Sequence, residues 1–368
     1  MRQVSGTSEV AAEMTLLGRN LPGLARGKAP KLGFCITSFN RSHRTVGLVQ
    51  ELLRHSGDDV EIVVSDNCSS DSSVQDLRRI ADPRLHVHTN DRNIGAVPNY
   101  MFALTLSRAE VLVFSTDKDY ADHRGIEQLV EFLDEHREVL CGYCEMNLDV
   151  RAEDVIHTAP EAALMHTAYL SRHPTGYFFR RNVLQMLPDR ERFSRQETVG
   201  NFPFEFMIAE LALQGPTAVI KVPLFRSETA QDTARVRSYS YSQQQENLYF
   251  TPHQLSLTLD KYLRHLAGLS IRVAARHRVA ARLVKASLGG ATLGYRRTLR
   301  DPNICTHYGL VPRVISWPEV LWQHLLFSAR FVWAGVYGNP MTRLSLLLRA
   351  HSSIVLQLLG WRVPWGRS

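Results

Sequence analysis

The feature of this sequence that most restricts its fold is a regular alternation of short apolar runs and helix-length segments between residues 31 and 116. Four apolar runs are typical of buried strands: Leu32–Thr37, Val60–Val64, Leu85–His88 and Val111–Phe114. Helical spacing is found in the intervening segments, at Val46–Leu53 and Ala96–Leu106. Strands separated by helices form βαβ units, so the pattern predicts an α/β fold with a mixed, mostly parallel sheet.

Polar residues follow each of the four predicted strands, where Asn, Asp, Ser and Thr are concentrated. In open α/β sheets, ligands bind outside the carboxyl ends of the strands. We therefore expect the four polar loops to meet at one edge of the sheet and to form a binding site there.

The loop after the fourth strand carries Asp117 and Asp119 on either side of Lys118. Two carboxylates with this spacing can share a divalent cation with a diphosphate, although Asp is also common in ordinary turns. Asp66, at the end of the second strand, can accept hydrogen bonds from a nucleobase or ribose. Gly95 allows close backbone approach to phosphate at the start of a helix that carries Asn99.

Charge is distributed unevenly along the 368 residues. Residues 1–220 hold 23 basic and 30 acidic residues, whereas residues 221–368 hold 20 basic and 6 acidic ones. We predict an N-terminal extension over 1–30, a sheet domain over 31–225, a linker or active-site loop over 226–253, and a basic helical C-terminal domain over 254–368. The five cysteines have no regular spacing and predict no disulfide framework. Cys141 and Cys144 are expected in or beside a strand.

Four segments in this order resemble the family-2 glycosyltransferases, which have the GT-A nucleotide-sugar-binding fold. Phe34–Arg41 is similar to the "hhhxTxNR" opening strand and turn, and Val63–Asp71 to the "hhDNxSxD" loop. Asn93–Asn99 matches "NxGxxxN", and Val113–Asp119 matches the strand followed by the DxD motif. The resemblance covers about residues 31–220. The second and third motifs are most similar in sequence to those of the members that add sugars to bacterial surface polysaccharides and glycolipids.

The resemblance implies a nucleoside-diphosphate-sugar donor and a role for each matching position. The residues implied to contact the base and ribose are Thr37, Phe39, Asn40 and Asp66. Asn93 would frame the donor, Asp117 would face the ribose or sugar, and Asp119 would bind Mn²⁺ or Mg²⁺. Many members have three acidic residues in a row where this chain has Lys118. That ammonium either points away from the metal or replaces part of its charge at the diphosphate.

Members with this arrangement invert the anomeric centre, which requires one general base for the acceptor hydroxyl. The family places an acidic residue at the start of a helix about ten residues before a Gly, and Glu205 with Gly215 fits that spacing. We expect apolar neighbours to raise the pKa of Glu205. Glu197 and Glu210 are rivals for this role.

Three histidines lie near Pro or Gly turns: His173, His253 and His307. Each is a candidate third metal ligand or acceptor contact, and for each a structural or solvent-exposed role is the alternative.

The C-terminal region combines Arg with Trp and Leu at helical spacing, notably over residues 320–336 and 341–361. Basic amphipathic helices with Trp bind well at an anionic membrane surface. The alternatives are packing on the catalytic domain or on a second copy in a homo-oligomer. No nucleic-acid-binding module accompanies the arginines, so nucleic acid is not an expected partner.

These features together predict an inverting glycosyltransferase. Its acceptor would be a glycan or lipid-linked saccharide, and its location the cytoplasm or the inner face of the cell membrane. A sugar-1-phosphate nucleotidyltransferase is the rival enzyme, but the loop after the first strand lacks the Gly-rich phosphate-binding sequence that it requires. A sugar-nucleotide-binding scaffold with weak or no catalysis is the rival outside the enzymes.

Overall fold

The computed structural model describes residues 29–145, 154–170, 172–222, 224–226 and 248–358. These residues form two compact units. The first comprises the described residues up to Thr158, His173–Thr198 and the described part of Gln214–Glu228. The second comprises those in Ala159–Arg172, Val199–Leu213 and onward from Leu248.

The strands are, in chain order, β1 (Leu32–Ser38), β2 (Val60–Asp66), β3 (Leu85–Thr89), β4 (Val111–Thr116), β5 (Tyr120–Ala121), β6 (Cys141–Cys144), β7 (Val155–His157), β8 (Tyr177–Arg180), β9 (Thr217–Ile220) and β10 (Phe225–Arg226). The α-helices are α1 (Ser42–His55), α2 (Ser73–Arg78), α3 (Ala96–Leu106), α4 (His123–Glu135), α5 (Pro160–Thr167), α6 (Gln196–Val199), α7 (Pro203–Leu211), α8 (Pro252–Gly268), α9 (Val273–Gly289), α10 (Tyr295–Arg300), α11 (Pro302–His307), α12 (Trp317–Ala334) and α13 (Pro340–Leu358).

An eight-stranded sheet with the order β3-β2-β1-β4-β8-β6-β9-β7 forms the centre of the first unit. The four predicted strands, β1 to β4, are all present and pair in parallel. Antiparallel pairs join β8 to β4 and to β6, and β7 to β9, whereas β6 and β9 are parallel. The predicted mixed, mostly parallel sheet is confirmed. A separate two-stranded ribbon pairs β5 with β10.

Burial explains why the four apolar runs form the middle of the sheet. Every residue of β1, β2 and β4 is buried, as expected for strands covered on both faces. Helix α1 packs its apolar stripe, including Leu48, Val49 and Leu52, into the same core. It begins four residues earlier than its apolar pattern predicts, because polar residues form its first turn. Cys141 and Cys144 lie in β6, as expected, and the five cysteines are free thiols.

The second unit consists of helices α5, α7 and α8 to α13. The helical C-terminal region predicted from residue 254 onward is confirmed, with Thr251 capping α8 by accepting a hydrogen bond from the backbone N–H of Gln254. None of the described helices has the length and hydropathy that crossing a bilayer requires.

The two units alternate along the chain, since α5 and α7 group with the C-terminal helices. The domain boundaries predicted at residues 30, 225 and 253 stay predictions. The predicted extension 1–30 and linker 226–253 lie mostly outside the described residues.

Gly33 in β1 provides a test of how tightly this sheet packs against the chain that precedes β4. A β-carbon at position 33 would lie 2.3 Å from Ser107 Oγ and 2.8 Å from Ala109 Cβ. We expect Gly33→Ala to lower the free energy of unfolding by about 1–3 kcal/mol through overpacking, measured by urea denaturation. Gly47→Ala is the matched control, because position 47 lies inside α1 with open space around it. This control should gain about 0.5–1 kcal/mol from helix propensity. Equal stability of Gly33→Ala and wild type would contradict the tight contact.

Candidate active site

The strand ends that carry the predicted site residues lie level with one another. Ser38 at the end of β1 pairs with Asp66 at the end of β2, and Thr37 pairs with Thr116 at the end of β4. Asp66 in turn pairs with Thr89 at the end of β3. The four polar loops therefore leave the sheet at one edge, as the alternating pattern predicts.

Asp66 is fully buried at the end of β2. Its carboxylate accepts hydrogen bonds from the backbone N–H and the hydroxyl of Ser69, at 2.8 and 2.5 Å. Burial raises the pKa of Asp66, the hydrogen bonds from Ser69 oppose that rise, and the negative charges of Asp71 and Asp117 add to it. Asp66 and Asp117 are therefore electrostatic neighbours, although 51 positions separate them in the sequence.

Asp117 forms a buried ion pair with Arg41. The guanidinium Nη1 lies 2.7 Å from Asp117 Oδ1, and the two side chains are 11% and 5% exposed. The backbone N–H of Phe39 donates to the other carboxylate oxygen at 3.4 Å. Arg41 ends the first motif, but the sequence alone assigns it no role. The sequence feature that could have identified Arg41 is its position at the end of that motif, directly before α1.

Asp119 accepts three hydrogen bonds on one oxygen, Oδ2. The donors are Thr116 Oγ1 at 2.8 Å, Thr175 Oγ1, and His173 Nε2 at 2.8 Å. Burial favours the neutral acid, but the hydrogen bond and charge of His173, together with the threonine hydroxyls, hold the pKa of Asp119 below its ordinary value. Of the three candidate histidines, His173 is thus brought to the Asp-Lys-Asp segment. Thr175 was not found from the sequence.

The side chains around Asp119 suit a divalent cation in their chemistry. Carboxylate and imidazole are both ligands of Mn²⁺, and Mg²⁺ prefers the carboxylate. The 2.8 Å between Asp119 Oδ2 and His173 Nε2 is close to the spacing, about 3 Å, of two adjacent ligands each about 2.1 Å from a metal. Among the described residues, no group of three or more His, Cys, Asp and Glu side chains is arranged to hold a metal. Oxygens of a substrate would have to complete such a site.

Lys118 lies between these two carboxylates, and its backbone carbonyl accepts a hydrogen bond from Arg44 Nη2 at 2.8 Å. The next strand, β5, is held by the ring of Tyr120, which contacts the guanidinium groups of Arg44 and Arg226 at 4.4 and 4.3 Å from its centroid. These contacts hold the backbone at the middle of the Asp-Lys-Asp segment and the residue that follows it. The role of the Lys118 ammonium stays a prediction.

The loop after β1 is joined to the loop after β2 through Asn40. Its side-chain oxygen accepts from the backbone N–H of Ser70 at 2.7 Å, and its own backbone N–H donates to Ser69 Oγ at 2.8 Å. Asn40 has a φ of 52°, in the left-handed region that Asn tolerates better than most residues. Thr37 is buried just before this turn and Phe39 is half-buried within it.

Asn67 organises the loop around Asn93 and Gly95. Its side-chain nitrogen donates to Asn93 Oδ1 at 2.9 Å and its oxygen accepts from the backbone N–H of Ile94 at 2.9 Å. Gly95 has a φ of 91°, which only glycine adopts without strain, and it caps the start of α3. Asn67 was not singled out from the sequence, although it stands within the second motif.

Asn99, predicted to bind substrate, is buried and bonded to protein. Its oxygen accepts from Ser65 Oγ at 2.6 Å and Asn90 Nδ2 at 3.0 Å, and its nitrogen donates to the carbonyl of Ser65 at 3.1 Å. In this structure Asn99 holds α3 against β2. The substrate contact of Asn99 stays a prediction.

Glu205 lies in the first turn of α7, in the second unit, and is 3% exposed. Every residue of this helix is buried. Glu205 is near enough to Tyr262 and Arg282 for its charge to influence both groups, adding to the rise that burial causes in the pKa of Tyr262. The base role of Glu205 stays a prediction.

The other candidate groups differ in their surroundings. Glu210 is 3.6 Å from His265 Nε2, and Glu197 is exposed on α6. His253 Nδ1 contacts Arg330 at 3.0 Å. His307 ends α11, and its side chain is outside the described set.

Comparison with known proteins finds similarity to one family over part of the chain. The family model described as "Glycosyl transferase family 2" matches residues 34–197. The succinoglycan biosynthesis protein ExoO of Rhizobium meliloti (strain 1021) is 34% identical over 68 residues, 18% of this chain. The match spans about a fifth of the length of that relative, 20%.

Solved structures of TarS from S. aureus share the fold. The complex with UDP-GlcNAc superposes with a TM-score of 0.57 at 17% identity, covering 90% of this chain and 89% of the other. The complex with UDP gives a TM-score of 0.52 at 14% identity, covering 92% and 94%.

We predict that the Arg41–Asp117 pair is coupled strongly. Arg41→Gln should lower the free energy of unfolding by about 3 kcal/mol, because it leaves a buried carboxylate without its cation. Urea denaturation of both single variants and of Arg41→Gln/Asp117→Asn measures the coupling energy. The exposed pair Arg79–Asp76 is the matched control, and Arg79→Gln should cost less than about 1 kcal/mol. Additive effects of the Arg41 and Asp117 substitutions would contradict the pairing.

Asp66 predicts a pH dependence of known sign. Because the pKa of Asp66 is raised in the folded protein, the folded state binds its proton more tightly than the unfolded state. Wild-type stability should therefore fall, relative to Asp66→Asn, as the pH rises from 3.8 through the raised pKa. Urea denaturation of the two proteins between pH 4 and 7 measures this difference. If the stability difference between the two proteins stays constant or changes in the opposite direction, the folded protein does not raise the pKa of Asp66.

Proposed function

We propose that this chain is a member of family 2 of the glycosyl transferases and that it transfers a sugar from a nucleoside-diphosphate-sugar with inversion of the anomeric centre. The observation that carries the proposal is the meeting of Asp66, Asp117 and Asp119 at one edge of the sheet. A site of buried carboxylates beside Asn and Ser loops can bind the hydroxyls and N–H groups of a nucleotide and, with a cation, its diphosphate.

In this proposal the loop after β2 and the loop after β1 bind the nucleoside. The carboxylate of Asp66 accepts hydrogen bonds from the base or ribose, and the ring of Phe39 lies against the base. Thr37 and Asn40 complete this part of the site. Asn93, Gly95 and the start of α3 offer backbone N–H groups to the donor. These roles are supported by the four motifs and by the level strand ends.

Asp119 and His173 would hold a divalent cation, Mn²⁺ or Mg²⁺. When bound, the cation neutralises charge on the departing nucleoside diphosphate. Asp117 has a different part, since its carboxylate is already paired with Arg41 and faces the donor ribose or sugar from that fixed position. Lys118 supplies a positive charge between the two.

The transfer itself is a single displacement. The acceptor hydroxyl forms a bond to the anomeric carbon as the bond from that carbon to the diphosphate oxygen breaks, and nucleoside diphosphate leaves. Glu205 takes the proton of the attacking hydroxyl. A buried carboxylate in the first turn of a helix is the kind of group that can act as this general base.

The acceptor in this proposal is a growing glycan or a lipid-linked saccharide of a bacterial surface polysaccharide. The name of the ExoO relative supports this choice of acceptor class. The reaction would take place in the cytoplasm or at the inner face of the cell membrane, where nucleotide sugars are available.

Hydrolysis of nucleotide sugars tests the proposal without knowledge of the acceptor, because water can replace the acceptor hydroxyl. A panel of UDP-, GDP- and dTDP-sugars is incubated with the protein and Mn²⁺ or Mg²⁺, and released nucleoside diphosphate is measured. We expect one donor class to be hydrolysed and also to raise the melting temperature. Glu205→Gln should lower the rate at least 100-fold and keep the thermal shift, since a general base contributes about 10²–10⁴.

Glu197→Gln is the matched control, because it makes the same chemical change on an exposed helix. Loss of turnover in Glu197→Gln with full turnover in Glu205→Gln would overturn the base assignment. Donor binding without turnover in wild type would instead support a sugar-nucleotide-binding scaffold.

A further inference from the structure

Helix α12 exposes a broad apolar face. Trp322 and Trp333 are 60% and 78% exposed, and Leu321, Leu325 and Leu326 are each at least half exposed. The 3.6-residue period places all five within one half of the helix circumference. The charged residues of α12, Glu319 and Arg330, both lie at one border of this half, next to Leu326. The opposite side of the helix is buried through Val320, Phe327 and Phe331.

Helix α13 also exposes apolar residues. Met341, Leu344 and Leu348 are exposed, while Leu346, Leu347 and Ala350 on its other side are buried. Both helices pack on α9, and they pack on each other. We call the exposed apolar residues of these two neighbouring helices together the α12–α13 face.

The turn between the two helices is fixed by Arg343. This buried guanidinium donates to the carbonyl of Val332 at 2.8 Å and to the carbonyl of Gly338 at 2.7 Å. The α12–α13 face is thus a rigid feature of the unit rather than a loosely attached helix pair.

A cleft of about 640 Å³ lined by arginines lies at α10 and the start of α11 in the same unit. Arg296, Arg297 and Arg300 line it, together with Asp301. The carboxylate of Asp301 accepts the backbone N–H groups that begin α11, so it is already bonded within the protein. Arg296 lies 4.2 Å from the ring centroid of Trp317, the first residue of α12, and this contact joins the cleft to the apolar face.

The charge of the whole segment favours an anionic partner. From Pro252 to the C-terminus the sequence has 16 Lys and Arg against three acidic residues, Asp260, Asp301 and Glu319. Two copies meeting through this face would bring like charges together. An anionic surface with an apolar interior complements both the arginines and the exposed Trp and Leu side chains.

We propose that the α12–α13 face docks on a membrane rich in anionic phospholipids. Its Trp and Leu side chains enter the interface between headgroups and acyl chains, and the arginine cleft binds lipid phosphates. The inference stands apart from the proposed function, because its test measures lipid binding and not sugar transfer.

Tryptophan fluorescence reports directly on this surface, since the five Trp residues of the chain all lie at or after position 317. The parent protein for the test is Trp361→Phe/Trp365→Phe, which retains the three Trp of α12. It is titrated with vesicles of phosphatidylcholine alone and with vesicles containing 40% phosphatidylglycerol (roughly the anionic content that gives a strongly negative surface). We expect a blue shift of emission and quenching by brominated lipid with the anionic vesicles only.

Two variants test the arginine cleft and the exposed apolar residues separately. Arg297→Gln/Arg300→Gln should weaken binding roughly 25-fold, because each arginine near an anionic surface contributes about fivefold. Arg272→Gln/Arg278→Gln makes the same charge change at the start of α9 and the residue before it, near Glu161, and should change binding less than about threefold. Leu326→Gln should abolish quenching by brominated lipid, whereas Val273→Gln, at an exposed position of α9, should retain it.

Three results would overturn the proposal. One is unchanged emission with anionic vesicles in the parent protein. Another is vesicle binding without quenching by brominated lipid, which would leave the Trp side chains outside the bilayer. The third is a blue shift that depends on protein concentration without vesicles, together with a dimer in analytical ultracentrifugation, which would assign the α12–α13 face to a second copy. A cooperative urea-denaturation transition like that of the parent protein serves as the check that each variant is folded.

Discussion

Three carboxylates are buried at one edge of the sheet, and groups in the surrounding loops offset the free-energy cost of burying their charge. Asp117 is paired with Arg41, Asp119 with His173, and Asp66 with the hydrogen bonds of Ser69. The compensation is incomplete at Asp66, whose pKa is raised. A cluster that concentrates negative charge in this way is disfavoured for folding but well suited to bind a cation and hydrogen-bond donors.

The compensating groups also determine where the loops lie. Arg41 links the turn after β1 to the turn after β4. His173 and Thr175 link the segment before β8 to Asp119 in that same turn. The hydrogen bond from Asn67 to Asn93 links the loop after β2 to the turn before α3. A nucleotide sugar entering this edge would therefore meet loops that are already positioned, which lowers the entropic cost of binding it.

The sequence predicts the strands of the site well, because their buried runs have a strong local pattern. It also locates Asp66, Asp117 and Asp119 at the sheet edge, since parallel strands end on the same side. The ion pair between Arg41 and Asp117 joins residues 76 positions apart, and His173 is 54 positions from Asp119. No local pattern contains such pairs. For the same reason the sequence identified neither Thr175 nor the organising role of Asn67, and it left His173 as one of three candidates.

The most direct test of this account is calorimetric titration of wild type and Asp119→Ala with UDP, GDP and dTDP, each with and without Mn²⁺. The account predicts that one nucleoside diphosphate binds wild type more tightly when Mn²⁺ is present and that Asp119→Ala loses this gain. Equal affinity of the two proteins in Mn²⁺, or no binding of any of the three to a folded wild type, would contradict it.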